Sequence, residues 1–225
     1  NYVWRWLGRS RYPVVKNKNQ LNRKCSTMFP KKTLTLLIFL IISFSSIAKV
    51  YSIEPDIFVQ STVNRASEAL NSKYSKEEKI EKLKAIAKET VDITGIGLYT
   101  LSSYRKNITD GQKKEYALLF EQYFLKSFSS RLAEYSNPEI DVTSKKKLNE
   151  NYTMVSSILV STEQRPEVKV DWRIYTKNPE NLLIRDLIIE GLSLVRTQKE
   201  EFSSIIESND GDINALFLTL REFVK

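Results

Sequence analysis

Val168-Lys169-Val170-Asp171-Trp172-Arg173-Ile174-Tyr175 alternates apolar and polar side chains over eight residues. Successive side chains of a strand point to opposite faces, so Val168, Val170, Trp172 and Ile174 form one face and Lys169, Asp171, Arg173 and Tyr175 the other. The pattern predicts a strand with one face toward a core. Its neighbours read the same way. Tyr152 to Val160 is a long β-prone run, and Ile140 and Val142 alternate with polar residues. Leu182 to Ile189 is almost continuously apolar, as a strand covered on both faces would be, and Gly191 ends it. About four antiparallel strands follow from this spacing.

Upstream the period is helical. Val59, Val63, Ala66 and Leu70 fall at steps of four and three, before a break at Asn71-Ser72. Ser75 to Glu78 reads as a capping box opening a second helix, with Ile80, Leu83, Ala87 and Val91 on one face. Asp92 to Asn107 is less regular. Its Gly95-Ile96-Gly97 is too short for a dinucleotide fingerprint, no strand precedes it, and it reads as a bend. Thr109 and Gln112 form a second capping box. They open the clearest helix in the chain, with Tyr116, Leu119, Phe120, Tyr123, Phe124, Phe128, Leu132 and Tyr135 at three- and four-residue steps. Asn137-Pro138 stops it. Beyond the strands, helical spacing returns at Leu194, Gln198, Phe202 and Ile205-Ile206, and again at Ile213, Leu216, Phe217 and Leu220. Helices, then strands, then helices make an α+β fold: a single domain whose curved, mostly antiparallel sheet is wrapped around the aromatic helix.

Composition removes many functions. The 225 residues contain no His and one cysteine, Cys25, so His metal sites, His-based catalytic triads and, beyond residue 25, disulfides and thiolate metal sites are excluded. The formal charge of +8 is misleading. Ten of the 35 basic side chains lie in residues 1–52, which have no Asp or Glu, leaving 25 against 27 acidic groups in residues 53–225. The working domain is near neutral, which argues against nucleic acid as a partner.

The N-terminal region reads as a leader. From Met28, a short positive segment (Lys31-Lys32) precedes the apolar run Leu34 to Ile42 and a small, semi-polar stretch, Ser43 to Ala48. That is the layout of a cleaved signal peptide over residues 28–52. Thr33 to Ala48 is 16 residues, whereas spanning a membrane takes roughly 20 predominantly apolar ones. Residues 1–27 read as an upstream extension outside the native product, and residues 53–225 as the exported domain. A cysteine-free product suits a bacterial periplasm, where the core alone must stabilise the fold.

One resemblance is carried by particular residues. Leu187-Ile188-Ile189-Glu190-Gly191-Leu192-Ser193-Leu194-Val195, followed by Phe202, is similar to the terminal signature of the MlaC, or toluene-tolerance, family. Val170-Asp171-Trp172-Arg173-Ile174 resembles that family's Val-Asp-aromatic-Arg-aliphatic strand. Leu101, Tyr104, Thr109 and Gln112 resemble its linker into the long helix. Departures are Leu182 where many members have Trp, Gln198 and Lys199 where Tyr-Arg is common, and Ser102 in place of a usual Gly.

The resemblance implies a domain of the cystatin or nuclear-transport-factor type enclosing an apolar pocket. It implies a periplasmic phospholipid carrier that shuttles cargo between an inner-membrane ABC transporter complex of the MCE type and an outer-membrane lipoprotein complex, maintaining outer-membrane lipid asymmetry. Phospholipid would be cargo, no cofactor or metal would be needed, the chain would act as a monomer, and no reaction would be catalysed. The expected lipid-binding residues are Leu119, Phe120, Tyr123 and Phe124 from the helix, and Val155, Leu159, Val170, Trp172, Ile174 and Ile188 from the strands.

The physics is coherent. Hiding about 30 methylenes at about 0.8 kcal/mol each amounts to about 24 kcal/mol gross. The donor bilayer shields the chains equally well, so a modest bias at either end decides loading or release.

Two other readings compete. One is an isomerase-type enzyme on the same type of fold, using Asp186 with Tyr123 or Tyr152. The other is an envelope-interaction module whose core is solid. Lys145-Lys146-Lys147 reads as a solvated loop or edge strand, and Asp171 and Arg173 as an exposed ion pair.

Overall fold

The computed structural model describes residues 52–134, 138–163 and 166–225. The expected extension, nearly all of the expected signal segment, Tyr135 and Asn137 lie outside the described residues.

Two helices come first. α1 (Pro55–Asn71) buries Val59, Val63 and Leu70, and its Pro55 sits at the first turn, where a missing N–H costs nothing. α2 (Lys76–Thr90) opens on the expected capping box, Ser75 with Glu78, each accepting from the other's backbone N–H.

The Gly95-Ile96-Gly97 segment is not a bend. It lies inside a helix, α3 (Ile93–Thr100), whose first turn is capped by the Asp92 carboxylate accepting from Gly95 N at 2.8 Å. The glycines serve close approach instead of flexibility. A Cβ on Gly97 would lie 2.8 Å from the Phe120 ring, and one on Gly95 would lie 2.7 Å from the Arg185 guanidinium carbon. A 3-10 turn (Ser102–Lys106) then leads to α4 (Asp110–Leu132), capped by the Thr109 and Gln112 box.

The sheet runs in sequence order: β1 (Ile140–Asn149), β2 (Tyr152–Leu159), β3 (Val168–Tyr175), β4 (Leu183–Ile189) and a two-residue β5 (Leu192–Ser193), all antiparallel. The fifth strand is additional to the four expected. It exists because Glu190 (φ 49) and Gly191 (φ 83) turn the chain back in a two-residue hairpin, which needs positive φ at both positions. α5 (Leu194–Glu207) and α6 (Ile213–Val224) complete the chain.

Alternation of buried and half-buried residues along β2 and β3 puts Val155, Ser157, Leu159, Val170, Trp172 and Ile174 on the inner face. β4 breaks step. Arg173 pairs with Asp186 but Ile174 pairs with Ile184, so Arg185 is an extra residue in a bulge. β1 is an edge strand, as its lysines suggested. Lys145 is held by Glu54 (2.7 Å) and Asp56 (2.8 Å), and its ammonium lowers the Asp56 pKa.

The expected Asp171–Arg173 pair does not form. Asp171 accepts from Ser156 Oγ at 2.6 Å and lies 3.3 Å from Lys169, while Arg173 turns toward Asp186 at 3.6 Å. α1 packs on β1 and β2, α3 and α5 on β4, and α4 against α2, α3 and α6.

Candidate functional site

Between the sheet and the helices lies a hollow of about 220 Å³. Its helical wall is Val63, Ala66 and Leu70 of α1 with Leu83, Ile86 and Ala87 of α2. The sheet supplies Leu159, Val170, Trp172, Ile184, Leu187 and Ile189. Phe124, Phe128 and Leu132, from the C-terminal half of α4, form one end, and Leu194 and Val195 at the start of α5 contribute another side. The aromatic helix thus reaches the sheet across the hollow.

Polar atoms near this space are turned away from it. Thr62 Oγ1 donates to Phe58 O and Thr90 Oγ1 to Ile86 O, each at 2.8 Å, so both hydroxyls are satisfied within their own helices. Ser67 Oγ donates to Pro138 O at 2.8 Å. The Trp172 indole N–H donates to Ser157 Oγ at 2.8 Å, and Ser157 Oγ in turn donates to Val170 O. Buried polar groups that are paired cost little. What remains facing the hollow is hydrocarbon and aromatic ring, including the parallel pair Phe124 and Phe128 with centroids 5.5 Å apart. Phe128, Leu132, Leu187 and Ile189 are only half-buried although they line it, and Leu194 is exposed. Such a space suits apolar groups.

Asp186 borders the hollow but is otherwise occupied. It is 3% exposed. Ser193 Oγ donates to it at 2.7 Å and Val195 N at 3.2 Å, so this carboxylate ties β4 to the N-terminus of α5. Tyr123 donates its hydroxyl to Gln198 at 2.8 Å, and burial raises its pKa. Tyr152 stands at a different hollow. Among the described residues no cluster could hold a metal ion.

Of the ten residues expected to meet the lipid, Phe124, Leu159, Val170 and Trp172 line the hollow together. Leu119 and Phe120 are buried one to two turns earlier on α4, where Phe120 packs on Gly97, Phe202 and Phe124. Tyr123 packs against Phe202 and Phe223. Val155 and Ile174 lie on the sheet's inner face in solid core, both fully buried. Ile188 is displaced for a clear reason: the Arg185 bulge shifts the alternation, so Leu187 and Ile189 face inward and Ile188 pairs outward with Asp171 and Ser193. The walls from α1 and α2 were not anticipated. Their stripes look like those of any packed helix, and the one hint was small side chains, Ala66 and Ala87, where bulky ones would fill the space.

A curved antiparallel sheet whose packing helices leave an apolar hollow defines an α+β domain with a small-molecule-sized interior site. The model of the MlaC protein family matches residues 60–222, and the chain belongs to that family. Its fold is also similar to a phospholipid-binding protein from Ralstonia solanacearum, solved in complex with a phospholipid, at a TM-score of 0.65 and 17% identity. That likeness covers 76% of this chain and 97% of the other. No match is found among curated proteins.

Proposed function

We propose that this protein is a phospholipid-binding carrier and not an enzyme. The observation that carries this reading is the apolar hollow, in which every nearby hydroxyl and the indole N–H are bonded back into the protein. Membership of the MlaC family and the phospholipid held by a structural neighbour support it. In the fuller form of the proposal the chain is exported to the periplasm, accepts lipid at one membrane complex, an inner-membrane ABC transporter, and delivers it to or from a lipoprotein complex of the outer membrane. Maintenance of outer-membrane lipid asymmetry follows from that traffic. The isomerase reading has no support in the placement of Asp186, whose oxygens are taken up in joining β4 to α5.

Organic-solvent extraction and mass spectrometry of the purified protein should yield phospholipid. Trp172, the only tryptophan beyond residue 6, gives a second readout in a Trp4→Phe, Trp6→Phe background. Its fluorescence should be quenched when phospholipid brominated on its acyl chains is loaded. No extractable lipid and no quenching after incubation with membranes would reject the proposal.

A further inference from the structure

The domain has a second hollow, of about 360 Å³, and it is polar. It lies at the end of the sheet where the β1–β2 turn, β3 and β4 meet α3 and the start of α5, and it shares only Ile96, Asp186 and Val195 with the apolar one. We propose that it is a binding site for a phosphate oxyanion, whether free inorganic phosphate or the phosphate of a lipid headgroup presented from outside. The proposal stands on this hollow's own chemistry and does not rest on the carrier reading.

Three guanidinium groups, Arg173, Arg185 and Arg196, line it against one lining carboxylate, Asp186. Arg173 is 3.6 Å from Asp186, and Arg185 is paired with Asp92, so two of the three charges are balanced. Arg196 has no carboxylate within ion-pair distance among the described residues, which leaves one positive charge at the site. Arg185 is fixed in place: its guanidinium stacks 4.7 Å over the Tyr175 ring and passes above Gly95, where any side chain would collide with it. Its Nε lies 2.5 Å from Asp92 Oδ2, so the ion pair takes up that edge of the guanidinium and helps to hold it. Tyr99, Tyr152 and Asn149 add neutral donors around the cations. One planar fork held in place at Arg185, with two more at Arg173 and Arg196 and hydroxyl and amide donors beside them, suits a tetrahedral oxyanion better than a monovalent halide.

Calorimetric titration of the full chain with inorganic phosphate at low ionic strength tests this, alongside co-sedimentation with phosphatidylglycerol vesicles. Arg196→Gln is the informative variant because its side chain is exposed and makes no hydrogen bond or ion pair that the fold relies on; Lys146→Gln, on the β1 edge, controls for general basicity. Saturable phosphate binding weakened at least about tenfold by Arg196→Gln, and unchanged by Lys146→Gln, supports a site for the free anion. Absent phosphate heat, with vesicle binding that Arg196→Gln alone abolishes, supports the headgroup as source. Binding of neither ligand, or binding that Arg196→Gln leaves unchanged or Lys146→Gln weakens equally, overturns the proposal. Extractable lipid is read on the unmodified protein, independently of both variants, so failure here is separable from failure of the carrier reading.

Discussion

At Ser102 the chain enters the left-handed region, φ 52, just after α3, with no glycine to relieve the contact between Cβ and the following carbonyl. Members of the family commonly carry Gly here, and the torsion supplies the reason. Ser102→Gly should therefore raise unfolding free energy by about 0.5–1 kcal/mol, the strain removed exceeding the extra chain entropy of glycine. Gly191 is the converse case. It has φ 83 and open space where a Cβ would go, so Gly191→Val would meet only backbone strain, a loss of about 1–3 kcal/mol. Urea unfolding of both variants checks the pair. Equal stabilities for Ser102→Gly and the parent would show that the local strain is relaxed elsewhere.

Element by element, the sequence was legible wherever one physical signal decided the outcome. Both capping boxes, the aromatic stripe of α4 as far as Leu132, the β-prone run of β2 and the alternation of β3 are local facts, written in neighbouring residues, and they appear as expected. Three features depend on contacts between distant segments and were not legible. The Arg185 bulge is a pairing irregularity between β3 and β4, invisible in an apolar run that would suit either phase. β5 is two residues long, too short for any period. The glycines of α3 looked like a bend because their partners, Phe120 and Arg185, lie 23 and 90 residues away in the chain. For the same reason half of the apolar site escaped notice: a hollow is set by what opposite walls leave unfilled. Gly97→Ala tests the close approach directly. In a free helix Ala would help by about 0.8–1 kcal/mol, but here its Cβ would stand 2.8 Å from a ring carbon of Phe120, near the ring's attachment and inside the core. Overpacking of that sort costs about 1–3 kcal/mol, so a net loss of stability is expected, measured as a lower urea midpoint at constant slope.

On the scale of the whole molecule, the size of the hollow sets a condition on its use. About 220 Å³ is not far above the roughly 150 Å³ known to hold one benzene, and well short of two acyl chains. On the carrier reading proposed above, a domain holding two acyl chains is wider than this one. α1 is pinned to the sheet, Gln60 bridging Ile140 O and Val142 N of β1, and the start of α5 is tied to β4 through Asp186, so widening falls on the end of α4. Its half-buried Phe128 and Leu132 already lie partly in reach of solvent. Interiors are packed as tightly as crystals, and a protein that keeps an unfilled apolar space forgoes dispersion contacts it could have made. Filling the space should therefore separate stability from cargo. Ala66→Leu adds three carbons from α1 into the hollow, which should leave the lipid-free protein as stable as before or up to about 2 kcal/mol more so. Extractable phospholipid should fall on the order of tenfold, since a smaller hollow must open further against the same core to admit a chain. A lost fold would mean that the space is already filled in solution; an unchanged lipid yield in a stable variant would mean that the acyl chains lie elsewhere.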